Sequence, residues 1–206
     1  MKNETFKRIT SSLILIPIAF FFIIKGSIFF IFFLGIFFLL TSYEWIKMSK
    51  GNLIRFIGVI YLLFTSWIAY LLQDSSVHYF LFVIIICIST DIGGYVFGKL
   101  FKGPKLTKIS PNKTYAGVTG SYFFSIIITY FFVKEFNVGL NNDSEFLIWV
   151  ILISTASQLG DLTISYFKRL CKIKNTGKLL PGHGGLLDRV DGIIFAVPFA
   201  LIFNYF

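Results

Sequence analysis

The stretch Ser165–Asp191 reads SYFKRLCKIKNTGKLLPGHGGLLDRVD and separates two long apolar runs of the chain. It contains six of the nineteen lysines and arginines, one of the two histidines and two of the ten acidic residues. Only 14% of the chain is charged, so this concentration of polar residues in one loop needs a specific explanation. We interpret the stretch as a polar loop between two membrane-spanning helices, with the candidate functional site in it and beside it.

The composition predicts an integral membrane protein. Of the 206 residues 56% are hydrophobic, and the mean hydropathy is +0.79, whereas a soluble domain carries about 25% charged residues. The net charge of +9 fits basic loops facing an anionic leaflet, because no soluble basic face is available to bind a duplex. We therefore expect no nucleic-acid partner. Cys87 and Cys171 form neither a metal-binding nor a disulfide pattern.

Apolar runs predict about seven transmembrane helices, since about 20 helical residues cross a hydrocarbon core of about 30 Å. The fold class expected is all-α, a polytopic bundle forming one integral-membrane domain over residues 1–206. We expect the N-terminal spans in 1–75 and the site-bearing spans in 76–206. The first run has no small-x-small cleavage site before Lys25, so it is expected to stay as a helix. The runs lie at about 13–24, 27–42, 56–72, 79–97, 117–133, 146–167 and 190–206.

The basic residues predict the orientation. Seventeen of the nineteen lie in the N-terminal tail and in alternate loops, including loops 98–116 and 168–189. The opposite loops contain Lys25 and Lys134 alone. Because cytoplasmic loops carry the excess of lysine and arginine, the N-terminus and these basic loops are expected in the cytoplasm.

Four carboxylates are predicted near the cytoplasmic ends of three helices: Asp91, Asp161, Asp188 and Asp191. A carboxylate within a span costs a few kcal/mol and by default marks a functional site. Asp188 and Asp191 are neighbours on one helical face. They would either cap the helix N-terminus or bind Mg²⁺, which prefers oxygen ligands.

The sixth predicted helix carries a polar stripe on an otherwise apolar surface. Asp161 belongs to it, and no basic residue shares its apolar run to neutralise it, which favours a functional role. We expect Ser154 and Thr155 to form hydrogen bonds between helices instead, as such residues often do in membranes. The stripe consists of Ser154, Ser157, Gln158, Asp161 and Ser165.

Two loops combine glycine with basic residues. Pro181–Gly185, PGHGG, precedes the last helix, and such a backbone can turn its amides toward an anion at the helix N-terminus. Ser110–Gly117, SPNKTYAG, faces the same side, where Lys113 would pair with phosphate and Ser110 and Thr114 would offer hydroxyl groups. Together these features predict a cytoplasm-facing site for Mg²⁺ and phosphate. Phosphoryl or nucleotidyl transfer to a lipid fits such a site best.

The same residues resemble the phosphatidate cytidylyltransferase family, also called CDP-diacylglycerol synthases. Its signature of Ser-x-x-Lys-Arg, Lys-Asp, Pro-Gly-His-Gly-Gly and Asp-Arg-x-Asp is found within 165–191, except that Lys174-Asn175 stands where the family has Lys-Asp. The family's Gly-Asp appears as Gly160-Asp161, one turn earlier. Its upstream motifs, Asp-x-Gly-x-Tyr and Ser-Pro-x-Lys-Thr-x-x-Gly, are matched at 91–95 and 110–117. The strong resemblance covers about residues 89–200.

The resemblance implies an enzyme that converts CTP and phosphatidate to CDP-diacylglycerol and diphosphate in phospholipid biosynthesis. It implies Mg²⁺, a second cation such as K⁺, a homodimer, and a multi-pass location in the cell inner (plasma) membrane. By position, Asp161 and Asp188 would bind the metal. The catalytic residues implied are Asp161, Asp188, Lys168, Arg169 and His183. The substrate-binding residues implied are Asp91, Ser110, Lys113, Thr114, Ser165, Lys174, Gly184, Gly185, Arg189 and Asp191.

The chain departs from the family pattern at two acids. Asn175 replaces the aspartate of Lys-Asp. In the upstream motif the family has Ser-Pro-x-Lys-Thr-x-Glu-Gly, and Ala116 replaces its glutamate. Asn175 can still offer an oxygen, but without charge. The chain is also short for the family, so we expect missing N-terminal spans rather than a missing site.

Two alternative functions remain open from the sequence. A related CTP-dependent lipid kinase would release CDP instead of diphosphate, so the identity of the product separates the two enzymes. A non-catalytic membrane transporter would use the same acids as an ion path, and the glycine-rich anion loop argues against it.

Overall fold

The computed structural model of the protein describes residues 2–107, 109–136, 138, 142–177, 179 and 184–204. These residues form seven α-helices and no β-strand. The all-α fold expected from the sequence is therefore confirmed. The helices are α1 (Lys2–Lys25), α2 (Ser27–Met48), α3 (Asn52–Ser75), α4 (Val77–Phe101), α5 (Tyr115–Glu135), α6 (Asp143–Leu170) and α7 (Leu187–Asn204).

Most helices are longer than the apolar runs that predicted them. Hydropathy marks the part of a helix suited to hydrocarbon, whereas the helix itself continues until the backbone turns. Gly26 and Gly51 are the N-cap residues of α2 and α3, with φ angles of 61° and 92°. Glycine adopts such positive φ angles without steric cost. α2 continues beyond its apolar run to Met48 and carries Glu44 and Trp45 in its last turns.

Five helices, α2 to α6, are long and apolar enough to cross a membrane. The described apolar part of α1 is shorter, Leu15–Lys25. Large apolar side chains on these helices, such as Phe29, Phe32 and Trp67, point away from the protein and are exposed. In a soluble protein such a surface would be anomalous, so the chain is a membrane protein.

The chain forms two compact units. The first consists of residues 1–77 and 167–190, and the second of residues 78–166 and 191–206. In the first unit the Trp45 ring packs edge-on against Phe167 with ring centroids 5.1 Å apart, and its Nε1 donates to the Ile54 carbonyl at 3.2 Å. The predicted division into residues 1–75 and 76–206 stays a prediction.

The second unit brings α4, α5 and α6 together through small residues. A Cβ atom at Gly93 would lie 2.5 Å from the Gly120 carbonyl oxygen, so α4 and α5 approach closely only because glycine is present. Thr90 Oγ1 donates to Ser154 Oγ at 2.8 Å, and the Tyr122 and Thr155 hydroxyl groups lie 2.9 Å apart. The expectation that Ser154 and Thr155 form hydrogen bonds between helices is confirmed.

Candidate functional site

Asp188, in the first turn of α7, is held by three donors in the first unit. Its Oδ1 accepts a hydrogen bond from Lys168 Nζ at 2.8 Å. Its Oδ2 accepts the backbone N–H groups of Thr176 at 2.8 Å and Gly185 at 3.1 Å. The Lys168 and Asp188 side chains are only 11% and 7% exposed. We call Lys168, Thr176, Gly185 and Asp188 the Asp188 cluster.

Charge pairing keeps Asp188 ionised. Burial raises the pKa of its carboxyl group. The hydrogen bond and charge of Lys168 and the N–H groups of Thr176 and Gly185 lower the pKa by more than burial raises it. The net pKa lies below the ordinary aspartate value. The N–H groups that Asp188 accepts, those of Thr176 and Gly185, precede α7, so these contacts fix the loop and are not those of an N-cap residue. Because its pKa is lowered, Asp188 is an anion at neutral pH. A metal-binding role for it stays a prediction.

Glu44 is a further buried carboxylate at this place, and the sequence reasoning missed it. Its residue is 1% exposed. Its Oε1 accepts Leu186 N–H at 3.0 Å, and its Oε2 accepts Leu187 N–H at 2.8 Å and Thr176 Oγ1–H at 3.0 Å. Glu44 lies between Tyr43 and Trp45, a context typical of a membrane interface. Its partners lie more than 130 positions away, so no local pattern could have revealed its role.

In the second unit, Asp161 lies on α6 and forms an ion pair with Lys113. Ser165 Oγ donates to Asp161 Oδ1 at 3.2 Å. The Lys113 and Asp161 side chains are 25% and 29% exposed. The sequence offered no cation within the apolar run of Asp161, and the structure supplies one from the connector between α4 and α5. We call Lys113, Asp161 and Ser165 the Asp161 cluster.

The connector owes its shape to hydrogen bonds around Lys113. Lys113 N–H donates to the Ser110 carbonyl at 3.0 Å, and the Lys113 carbonyl accepts Leu106 N–H at 2.8 Å. Thr114 then caps α5, because its Oγ1 accepts Gly117 N–H at 3.1 Å. Ser110 and Thr114 thus shape the turn that presents Lys113. Their contacts with substrate stay predictions.

The other cations predicted for the site lie at the surface of the first unit. Arg169 lies in the last turn of α6, Lys174 in the following loop and Arg189 in the first turn of α7. All three residues are exposed. Exposed cations attract anionic ligands over a distance of about one Debye length. His183 was also predicted, but it lies outside the described residues.

The two remaining acids lie in the second unit. Asp91 is on α4 and its residue is exposed. Asp191 is 8% exposed, and its Oδ1 accepts Gly192 N–H at 3.0 Å. A Cβ atom at Gly160 would lie 2.6 Å from the Asp191 carbonyl oxygen, so α6 passes close to α7 there. The glycine of the predicted Gly160-Asp161 pair is thus required by packing.

The sequence profile of the Cytidylyltransferase family matches residues 51–206 of the chain. The chain belongs to this family. All described residues of the Asp188 and Asp161 clusters lie in the matched region, whereas Glu44 precedes it.

Curated relatives of this cytidylyltransferase family member carry a more specific name. Phosphatidate cytidylyltransferase of Staphylococcus saprophyticus is 41% identical over 129 residues, which are 61% of this chain and 48% of the relative. The protein of that name from Staphylococcus haemolyticus is 37% identical over 148 residues, 70% and 54% of the two chains. That from Haemophilus influenzae is 39% identical over 130 residues, 61% and 45%. The chain spans about half the length of the curated relatives it matches.

The residue types of this family member suit Mg²⁺, which prefers carboxylate oxygens and often binds through one or two carboxylates completed by substrate phosphates. Among the described residues, no group of three or more His, Cys, Asp or Glu side chains could hold a metal ion. Asp161 and Asp188 each pair with a lysine instead. The carboxylate oxygens of Asp161 and of Asp188 each have the chemistry that Mg²⁺ prefers, and a metal site with both as ligands stays a prediction.

Proposed function

We propose that the chain is a phosphatidate cytidylyltransferase, which joins CTP and phosphatidate to form CDP-diacylglycerol and diphosphate at the cytoplasmic face of the membrane. The observation that supports this best is the Lys168–Asp188 pair, buried at the start of α7 and fixed by the N–H groups of Thr176 and Gly185. It lies within the region matched by the family, whose curated relatives carry this name.

The reaction makes one phosphorus–oxygen bond and breaks one. A phosphate oxygen of phosphatidate attacks the α-phosphorus of CTP. The bond from that phosphorus to the oxygen bridging to the β-phosphorus breaks, and diphosphate leaves with the electron pair. The attacking phosphate is already anionic at neutral pH, so no strong base is needed. Catalysis then depends on alignment and on neutralising charge around the α-phosphorus.

The lysines of the two clusters supply that charge. The Asp188 carboxylate orients Lys168 Nζ, and phosphate oxygens then accept further hydrogen bonds from the same ammonium group, which has three donors. Lys113 acts in the same way on the other cluster. Arg169, Lys174 and Arg189 gather the anionic substrates at the loop, and His183 also binds phosphate.

Mg²⁺ completes the proposal. Asp161 and Asp188 would hold it, and when bound it would supply positive charge that neutralises phosphate oxygens. A second cation such as K⁺ and a homodimer belong to the same proposal. The excess of lysine and arginine in alternate loops supports a site that faces the cytoplasm. For the metal, we expect that removal of Mg²⁺ by EDTA abolishes turnover.

The position of a radioactive label tests the reaction. The purified protein in detergent is given phosphatidate, Mg²⁺ and CTP labelled at either the α- or the γ-phosphate. The α-label enters the lipid, and the γ-label is released as diphosphate. Diacylglycerol, which lacks the attacking phosphate, takes up neither label. Transfer of the γ-label to lipid would identify a lipid kinase, and absence of both labels from lipid would overturn the proposal.

A further inference from the structure

The feature that the proposed reaction does not explain is the buried carboxylate of Glu44. Glu44 belongs to α2, far in sequence from the loop it contacts, and lies before the region matched by the family. The Glu44 carboxylate is 1% exposed, and none of its hydrogen-bond donors among the described residues is a cation. Such a carboxylate costs free energy unless other donors satisfy it. Three donors do: two backbone N–H groups and one hydroxyl group.

The two N–H groups belong to the start of α7. The first N–H groups of a helix have no partner within it, and the helix dipole favours an anion there. Glu44 is that anion, supplied by another helix, and accepts from Leu186 and Leu187. These two amides are therefore already bonded, and a substrate phosphate must rely on other groups, chiefly the cations nearby.

The loop before α7 is shaped around this carboxylate. A Cβ atom at Gly177 or at Gly185 would collide with the Glu44 carboxylate, and the one at Gly185 would collide with Thr176 Oγ1 as well. Both positions therefore require glycine for space. The backbone closes tightly around Glu44 at two points of the loop.

Thr176 links Glu44 to the Asp188 cluster. Its hydroxyl group donates to Glu44 Oε2 at 3.0 Å, and its backbone N–H donates to Asp188 Oδ2 at 2.8 Å. Asp188 in turn orients Lys168. A chain of hydrogen bonds thus runs from Glu44 through Thr176 and Asp188 to the lysine.

We propose that Glu44 is a positioning residue, which fixes the loop and the first turn of α7 so that Asp188 and Lys168 keep the geometry that the reaction needs. This inference rests on the proposed function. Glu44 is buried and does not contact substrate. It acts through Thr176 and through the amides of Leu186 and Leu187.

The first test compares three purified, folded variants with wild type. Glu44→Gln keeps the size of the side chain, but its one carbonyl oxygen cannot accept from all three donors, and its amide group faces them with donors of its own. Its kcat falls by roughly 10–100-fold, the range found for residues that orient the ligands of a metal site, and KM changes less than kcat. Glu44→Asp keeps the charge and retains part of the activity. Asp74→Asn, which removes an exposed acid from the end of α3, keeps wild-type kcat.

Hydrogen exchange of the backbone amides gives a readout that needs no turnover. In Glu44→Gln, exchange at Leu186 and Leu187 accelerates by about tenfold or more, because loss of about 1.4 kcal/mol of protection corresponds to a factor of ten. Asp74→Asn leaves these amides unchanged. Equal exchange rates at these amides in Glu44→Gln and wild type would show that Glu44 does not hold Leu186 and Leu187.

Thr176→Val completes the test. The hydroxyl group of Thr176 acts through Glu44, so adding Thr176→Val to Glu44→Gln lowers kcat little further, whereas alone it lowers kcat. If wild type is active and folded Glu44→Gln keeps the full wild-type kcat, the inference is overturned. If Glu44→Gln fails to fold, full kcat in both Glu44→Asp and Thr176→Val would overturn it. Absence of turnover in wild type would instead count against the proposed function, and the exchange experiment would still decide the contact.

Discussion

Replacing Asp188 with asparagine tests the ion pair at the start of α7. Asparagine keeps one oxygen for the N–H groups of Thr176 and Gly185, but its amide group then faces Lys168, donor against donor. Lys168 is left as a buried cation without its carboxylate partner. Asp188→Asn therefore destabilises the protein and abolishes the proposed turnover, since the lysine loses its orientation.

The size of the effect follows from burial. Removing one partner of a buried ion pair costs about 3–5 kcal/mol. The Lys168 side chain is 11% exposed, so water relieves part of this cost, and the free energy of unfolding falls by about 2–3 kcal/mol. Adding Lys168→Met removes the orphaned charge. The double variant is therefore more stable than the sum of the two single losses implies, with a coupling of about 1–2 kcal/mol.

Unfolding by SDS in mixed micelles, followed by circular dichroism, measures the four proteins of this cycle. The reasoning is wrong if Asp188→Asn unfolds like wild type. It is also wrong if the effects of Asp188→Asn and Lys168→Met add to within about 0.5 kcal/mol, as they do for independent sites.

Three further predictions follow from the described contacts. Lys113→Gln breaks the more exposed ion pair, that with Asp161. It lowers the free energy of unfolding by no more than about 1 kcal/mol in the same assay but reduces kcat by more than tenfold. A loss of stability without a loss of kcat would contradict the role of Lys113 in binding phosphate. Gly185→Ala destabilises the protein by about 1–3 kcal/mol, because its Cβ atom meets the Glu44 carboxylate, whereas Gly35→Ala has open space and leaves the SDS midpoint unchanged or raised. Because the pKa of Asp188 is lowered, the stabilisation that Asp188 gives the folded protein is complete above the ordinary aspartate pKa of about 3.9 and is lost as pH falls below that value. Measuring the SDS midpoint against pH shows this loss in wild type. An equal loss in Asp188→Asn would contradict the prediction.

The helices could be predicted from the sequence because hydropathy is a local property. The described residues of each apolar run lie in a helix, and Ser154 formed the hydrogen bond between helices that its type suggested. The helix ends were harder to predict. They depend on the backbone turning at residues such as Gly26 and Gly51, so α2 reached Glu44 beyond its apolar run.

The partners of the buried charges could not be predicted, because they join elements far apart in the chain. Asp161 seemed to lack a cation until the connector placed Lys113 beside it. Glu44 seemed a residue of the membrane interface until α7 and its loop closed around it. A family signature reveals which residue types recur in order, but it does not contain the contact between Glu44 and the loop.

The central claim is that this chain transfers the nucleotidyl group of CTP to a lipid and that Asp188 is essential. The most direct measurement counts α-labelled CTP entering the lipid fraction of liposomes that contain phosphatidate and Mg²⁺, for wild type, Asp188→Ala and Asn175→Asp. The account predicts incorporation by wild type and a loss of at least about 100-fold in Asp188→Ala, which corresponds to about 2.7 kcal/mol. No incorporation by wild type would contradict it, even if Asn175→Asp incorporated label, and so would equal incorporation by wild type and Asp188→Ala.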